Sequence, residues 1–363
     1  MALSYSRVFA AGPAWFRGDF HAHTTCSDGD FSPKELSDLS VEHGLDFLAI
    51  TDHNTLKAFD DFDNSYPRMI FPGTEITVVQ GHCNVFGFDG NVAWVRDMMH
   101  PLTELPLDES HSLFNDRRDF QKLIDRVAAS GLFVSIDHPV HKPWEWQDDA
   151  TPISLFQGIE LINDPTYKDG PEGNSLNRRL WSSWLNAGHR VTALGGSDFH
   201  SLTPADDPTR LMRLDLPLTY VYAAELSCQA ILKALRARHT YVTMGPKIEF
   251  EATVDGKTYV MGDDLGVLHS PTRLSGRVEG CATPAYVCIV RNGRVITQAP
   301  VENGEAALEW EIPAGDSRSA WYRFDVLGTD DQSIAISNPF FVGEVRQPEP
   351  RTFGSFPEVA SIR

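Results

Sequence analysis

Histidine–carboxylate pairs are where this chain could do chemistry. Residues 19–28 read DFHAHTTCSD and put His21 and His23 two apart, with Asp28 just beyond. Residues 195–200 read GGSDFH and put Asp198 and His200 at the same spacing. Alternate side chains of an extended strand share a face, so each pair would point one way. Imidazole nitrogens and carboxylate oxygens gathered on a face are divalent-ion ligands, with bonds of about 2.0–2.2 Å. A lone HxH is more often a pair of ordinary surface histidines. The reading therefore depends on how many such groups fall at equivalent places in the fold.

Those places are set by an alternation of strands and helices up to about residue 245. SPKELSDLSVEHG reads as a helix, with Ser32 as N-cap, Pro33 in its first turn, Glu35 closing a capping box and Gly44 ending it. LDFLAITDHN follows as a buried strand, and RMIFPGTEITV and HCNVFGF as two more, with the spacing of a hairpin. RRDFQKLIDRVAASG carries Phe120, Leu123, Ile124 and Val127 at helical spacing and leads into the strand LFVSIDHP. GIELIN, NSLNRRLWSSWLNAG, RVTALGGSD and AAELSCQAILKALRAR continue as strand, helix, strand and helix. This alternation predicts an α/β unit of parallel strands joined by crossover helices.

In such a unit catalytic groups collect at the C-terminal ends of the strands. TDHN puts Asp52 and His53 there, GTEI puts Glu75, GHCN puts His82, and DHP puts Asp137 and His138. With His21, His23, Asp28, Asp198 and His200, the strand ends carry a set that chance surface histidines do not explain. Metal binding is the reading. Asp52 and Asp137 precede candidate ligands and face away from them, as supporting or buried structural carboxylates. His43, His100, His111, His189, His239 and His269 have no partner motif, while His141 lies close behind DHP with Trp144 and Trp146 after it. Aromatics there either wall a pocket or fill the core.

After MGPK the texture changes. Residues 247–343 show short alternating runs, such as KIEFEATV, TRLSGRVEG, AYVCIVRNG, ALEWEI, AWYRFDVLG and FFVG, with RNGR as a type I′ hairpin turn. They predict a small antiparallel β-sandwich domain. The Pro-rich residues 344–363 predict an extended or disordered tail. A formal charge of −19 argues against nucleic acid or an anionic membrane held on a broad basic face. It leaves room for an anionic small-molecule substrate, because bound metals reverse the local sign. No apolar run reaches the roughly 18 residues of a membrane helix. The N-terminus lacks the pattern of a signal peptide. Five cysteines, odd in number and without CxxC, suit a reducing compartment, and a cytoplasmic location is expected. Oligomeric state is not legible.

The motifs HAHTTCSDG, AITDHN, GTEI, DHP and GSDFH, taken together over residues 15–245, resemble those of the polymerase and histidinol phosphatase (PHP) superfamily. The added β region makes the chain similar to the carbaryl hydrolase-like branch. The resemblance implies a distorted (β/α)7 barrel holding two or three divalent ions (Zn, Mn or Fe). It implies His21, His23, Glu75 and Asp198 at a first ion, and Glu75, His82 and His138 at a second. Asp28, His53 and His200 would hold a third. The activity implied is hydrolysis of a small phosphate ester by a metal-bridging hydroxide. His53 or His200, when not a ligand, would be the catalytic group protonating the leaving group. Asn163 ends the GIELIN strand, Lys168 and Arg178 follow it, and all three are candidates to meet the substrate. Two readings stay open beside this: a carbamate, amide or ester hydrolase, and a non-catalytic binding module.

Overall fold

The computed structural model describes residues 7–60, 66, 68–88, 122, 125–205, 207–315 and 318–363. The fold is mixed α/β, with an extensive sheet and few helices. Nine strands come first: β1 (Ala10–Asp19), β2 (Phe47–Ile50), β3 (Met69–Val78), β4 (Gly81–Phe86), β5 (Phe133–Ile136), β6 (Gly158–Asn163), β7 (Thr192–Gly196), β8 (Leu218–Leu226) and β9 (Thr240–Thr243). They neighbour one another in the order β9–β8–β1–β2–β3–β4–β5–β6–β7. β1–β2–β3 and β5–β6–β7 run parallel, as the alternation predicts. β3–β4 and β4–β5 are antiparallel, because only Val79 and Gln80 separate β3 from β4, far too few for a crossover. Past the strand ends, Ala22 pairs with Phe199 in parallel sense, and the His23 N–H donates to the Phe199 carbonyl at 2.9 Å. The segments that follow β1 and β7 therefore lie side by side, and those segments carry the two motifs with which the sequence stands out.

Helix α1 (Pro33–Glu42) has the expected capping box: Ser32 Oγ accepts from the Glu35 N–H, and the Glu35 carboxylate accepts from the Ser32 N–H at 2.9 Å. Helix α2 (Gly170–Asn186) packs on β6. Helix α3 (Cys228–Ala237) begins later than the run AAELSCQAILKALRAR predicts. Its N-cap is Ser227, whose hydroxyl accepts from the Ala230 N–H, and the preceding AAEL is the end of β8, paired antiparallel with β1. Of the helix expected over 117–131, residues 125–129 are helical and much of the rest lies outside the described residues.

Ten further strands follow: β10 (Lys247–Val254), β11 (Lys257–Val260), β12 (Asp264–Gly266), β13 (Thr272–Glu279), β14 (Ala285–Arg291), β15 (Arg294–Pro300), β16 (Ala306–Ile312), β17 (Ala320–Gly328), β18 (Ser333–Ser337) and β19 (Phe340–Val342). Asn292 and Gly293 turn β14 into β15 with φ of 49° and 81°, the positive pair that a type I′ turn requires. β11–β10–β13–β16 form one sheet. The alternating face of β10 buries Ile248, Phe250 and Ala252, and the Phe250 ring lies 5.8 Å from that of Phe324 on β17.

The other sheet is continuous with the first part of the chain, since β18 pairs antiparallel with β9. Asn338, fully buried, clasps the junction: its Oδ1 accepts from the Ala193 N–H at 3.0 Å, and its amide donates to the Thr240 carbonyl at 2.9 Å. Residues 344–363, whose prolines suggest an extended or disordered tail, lie against this body. Phe353, Phe356 and Val359 are buried, and the Phe353 N–H donates to the Thr151 carbonyl at 2.8 Å. Trp146 and Trp184 receive Phe353. Trp146 is thus core, and only Trp144 of that pair is exposed. No helix among the described residues is long and apolar enough to cross a membrane.

Candidate metal centre

The chain holds its strand-end residues in place with carboxylates that do not enter the centre. Asp52 accepts from the Thr24 N–H at 2.7 Å and from the hydroxyls of Thr24 and Ser27, each at 2.8 Å, fixing the loop after β1. Asp19, buried, accepts from the backbone N–H groups of His21 and Ser197, tying that loop to the end of β7. Burial lifts the Asp19 carboxyl to about 7 in spite of these hydrogen bonds. His138 and Asp198 sit at positive φ, 29° and 53°, where non-glycine residues are strained. Such strain, of order 1–3 kcal/mol per residue, persists where surrounding structure over-determines it, and clusters at functional sites.

Glu75 on β3 is the hub. Its Oε2 lies 3.4 Å from His21 Nε2, 3.5 Å from His23 Nε2 and 2.7 Å from His53 Nδ1. Its Oε1 lies 2.8 Å from His82 Nδ1 and 3.7 Å from His138 Nε2. Asp198 Oδ1 is 3.3 Å from His21 Nε2 and 3.2 Å from His23 Nε2. Asp28 Oδ1 is 3.6 Å from His53 Nε2 and 3.4 Å from His200 Nε2. Among the described residues four sets result, in each of which the candidate ligand atoms lie within 4.8 Å of one another: His21–His23–Asp198, Glu75–His82–His138, His23–Asp28–His53–His200, and His21–Asp137–Glu160. All nine residues singled out in the sequence are brought together. His23 belongs to two of the sets, so it also faces Asp28, His53 and His200.

These residues fit divalent ions on their own evidence. His21 Nε2, both nitrogens of His23 and both oxygens of Glu75 are buried without a hydrogen bond. Buried polar atoms that converge without such partners are costly unless something else satisfies them. Cys83 is buried and Cys26 half-buried, and neither joins a set.

Electrostatics agree. Burial opposes the charge of Glu75, yet the surrounding histidines hold it well below the usual carboxylate range. Asp198 is held low in the same way, chiefly by His21. Burial lowers His23 to about 3, with His200 and His53 adding to it, and lowers His82 to about 4 against the pull of Glu75. Two rings therefore present lone pairs without having to shed protons. The neighbouring carboxylates, against burial, instead raise His53 and His138 and raise His21 well above its usual value, so that an ion there must displace a proton.

Glu160 on β6 escaped the sequence reading. Its Oε1 is 2.9 Å from His21 Nδ1, and its Oε2 accepts from the His138 N–H at 3.1 Å and from the Asn163 amide at 2.9 Å. An acceptor on Nδ1 fixes the tautomer that leaves Nε2 bare. The close approach depends on Gly196, where a Cβ would lie 2.3 Å from both the Glu160 carboxylate and the His21 Cβ. Asp137 lies buried beside His21 and Glu160 with neither oxygen hydrogen-bonded, and burial and the neighbouring Glu160 push its carboxyl well up.

The sets open into a cleft of about 520 Å³ lined by His53, His82, His138 and His200, and farther out by Trp144, Tyr167 and Arg210. Arg210 pairs with Asp164 and lies over the Tyr167 ring, 5.5 Å from its centroid. Asn163 lines the cleft, as proposed from sequence. Lys168 and Arg178 do not. Lys168 is exposed beside Asp169, and Arg178 is buried, pinning α2 to Asp331 and Ser333. Arg210, far along the chain and outside any motif, is the cation among the described residues that line the cleft; no sequence signal marked it. His43, His189 and His239 engage Asp215, the Glu349 carbonyl and Asp263, apart from the centre. His269 is exposed, and His100 and His111 lie outside the described residues.

No family model matches the chain. It is 36% identical over 136 residues to the 5'-3' exoribonuclease Rnm of Salmonella typhimurium, covering 36% of this chain and 40% of the relative. It is 35% identical over 89 residues to Rnm of Escherichia coli, covering 23% and 29%. The match thus spans less than half the length of these curated relatives. Among solved structures, the chain is similar to a two-domain protein from Bacteroides vulgatus described as containing a predicted PHP-like metal-dependent phosphoesterase. Identity there is 18% and the TM-score 0.45, over 93% of this chain and 100% of that one. An amidohydrolase from Chromobacterium violaceum is 17% identical with a TM-score of 0.38, over 62% of this chain and 97% of that one. The chain resembles the PHP superfamily in its motifs.

Proposed function

We propose that this chain is a metal-dependent hydrolase whose substrate is a phosphate ester. The observation that carries the reading is Glu75, whose two oxygens each face a different set of buried histidines. On this reading His21, His23, Glu75 and Asp198 hold one divalent ion; Glu75, His82 and His138 hold a second. Asp28, His53 and His200 hold a third. The mixed His/carboxylate donors suit Zn, Mn or Fe. Such ions, when bound, supply Lewis-acid charge and lower the pKa of water. The chain's own part is to orient ligands through Glu160, to bridge through Glu75, and to present the substrate with Arg210 and Asn163. His53 and His200, whose rings line the cleft, are placed to move a proton to the leaving group where they are not engaged as ligands.

The fold reading that goes with this is a distorted (β/α)7 barrel over 15–245 and a β-sandwich over 247–343. The side-by-side placement of the segments after β1 and β7 supports the first. Two facing sheets joined through Phe250 and Phe324 support the second.

Arg210 in the cleft favours a phosphate ester, since a guanidinium fork matches phosphoryl oxygens. Relatives named as exoribonucleases widen the candidates to phosphodiesters of RNA, against the expectation that nucleic acid is excluded. The carbamate reading, suggested by the carbaryl hydrolase-like branch, has its own support in the aromatic wall of Trp144 and Tyr167, whose rings are 5.2 Å apart. The deciding experiment is turnover of p-nitrophenyl phosphate, bis-p-nitrophenyl phosphate, a short single-stranded RNA and a naphthyl carbamate, each with added Mn or Zn. Metal-dependent turnover of a phosphate ester supports the proposal. Turnover of the carbamate alone would replace it, and metal content near zero with no turnover would favour a binding module.

A further inference from the structure

Arginines gather at the other end of the strands from the metal cleft. Two adjoining grooves, of about 540 and 400 Å³, share Arg190 and have no lining residue in common with the cleft. Arg190, Arg291, Arg294 and Arg346 line the larger, and Arg190, Arg236 and Arg238 the smaller. The smaller reaches Phe133, Gln157 and Thr192, at the starts of β5, β6 and β7, whereas the cleft takes residues just past the ends of those strands. At about 3.3 Å per residue, that is a separation of roughly 15–20 Å.

A solvated surface would intersperse acids with these cations. Among the described lining residues of both grooves there is no Asp or Glu, in a chain of charge −19. Arg190 pairs with Asp264 and Arg346 with Glu349, both outside the linings. Arg190 and Arg238 lie over the same ring, Phe341, at 4.4 and 5.4 Å from its centroid. Burial and the charge of Arg190 hold the Arg238 guanidinium below its usual value, against the opposing pull of Asp264 and Asp263. Those two carboxylates compensate Arg238 only in part, and an anion in the groove would add to what they supply. The negative charge elsewhere on the chain does not forbid it, because exposed charges are screened over about 8 Å at physiological salt.

We propose that these grooves are a binding site for a small anion bearing two or more phosphoryl groups, seated on Arg190 and reaching Arg291 and Arg294 on one side and Arg238 on the other. Planar guanidinium forks engage phosphoryl oxygens in pairs, so linked phosphoryl groups satisfy several arginines at once. The ligand is not the substrate of the metal centre, which lies at the opposite strand ends. The site stands whether or not the proposed hydrolase activity does.

The test is calorimetric titration of inorganic pyrophosphate into the full chain after metal removal by chelator and dialysis, at about 150 mM NaCl. Orthophosphate and sulfate serve as comparisons. Saturable binding of pyrophosphate at least tenfold tighter than either is expected. Arg294→Glu and Arg190→Ala should each weaken it at least tenfold, and Arg210→Ala, in the cleft, should leave it unchanged. Should Arg190→Ala fail to fold by circular dichroism, Arg294→Glu, at an exposed hairpin turn, decides alone. The proposal is overturned by absence of saturable binding, by preference for orthophosphate, or by loss in Arg210→Ala instead. Binding of a short single-stranded RNA but not pyrophosphate, abolished by Arg294→Glu, would overturn it in favour of a nucleic-acid surface.

Discussion

Glu160 Oε1 accepts from His21 Nδ1 across 2.9 Å, although the two residues are 139 apart in sequence. The carboxylate thereby selects which nitrogen of His21 faces the centre. In Glu160→Gln the amide can turn its N–H₂ toward Nδ1, which favours the tautomer with the proton on Nε2, where an ion would bind. Loss of about 10–100-fold in metal affinity or activity is expected. Metal titration with circular dichroism checks it, and a folded variant with unchanged affinity would remove Glu160 from the site.

Glu75→Gln should damage two ion sites together. A carboxylate offers lone pairs on both oxygens, whereas an amide offers one neutral oxygen and a donor. A rate loss of at least about a hundredfold is expected, the scale of losing one strong electrostatic stabiliser. His200→Ala, at the edge of the centre, should lower affinity for one ion and spare the others. Ion stoichiometry and turnover measured side by side separate the two outcomes.

Metal uptake should depend on pH through His200. Burial alone would keep this ring neutral, but the hydrogen bond to Asp28 and the charge of Asp198 lift it to about 9. Below that pH the metal-free protein holds a proton that an ion at His200 must displace. Affinity at this set should therefore rise with pH up to about 9 and level off above it. His53 of the same set is raised as well, by Glu75 against its burial, and adds to the dependence, whereas His23 and His82, lowered to about 3 and 4, add none near neutrality. Titrations between about pH 6 and 9 on the wild type and His200→Ala check this, and a flat wild-type profile contradicts it.

Arg210 and Trp144 separate the substrate readings. Arg210→Ala should cost about ten- to a hundredfold in kcat/KM on a phosphate ester, the scale of about 1.5–3 kcal/mol for a charged hydrogen bond. Arg210→Lys should recover only part, because an ammonium lacks the fork. Trp144→Ala should spare the phosphate ester and weaken a naphthyl carbamate. The reverse pattern would favour the carbamate reading.

Asn338→Ala would leave the buried Ala193 N–H without its partner, at a cost of about 1–3 kcal/mol in chemical denaturation. A chain ended after Gly245 loses β18 from the side of β9 as well, and should not hold its metals stably.

The convergence of the candidate ligands was legible because they lie in short motifs at strand ends, where His21, His23, Glu75, His138 and Asp198 advertise themselves by type and phase. The strands after residue 247 were legible from alternation, and β10 and β17 have the bounds that their runs suggest. What stayed hidden is what sequence separates and folding joins. GIELIN reads as an apolar strand with one acid, and nothing local says that Glu160 meets His21. Arg178 looked like a phosphate contact because it follows that strand, yet its helix turns it toward Asp331. β8 was missed because AAEL is as good a helix start as a strand end, and the register with β1 decides.

Gly196 gives the centre a weak point that carries no functional group. Where a side chain would begin, the Glu160 carboxylate and the His21 Cβ already stand at 2.3 Å. Contacts this short cannot be relieved by a rotamer change at the new residue, because the obstruction is at its first carbon. Even alanine must push apart the pair that sets the His21 tautomer. In a mutational scan scored by hydrolysis, position 196 would rank with the candidate ligands, while contributing no donor atom, charge or proton of its own.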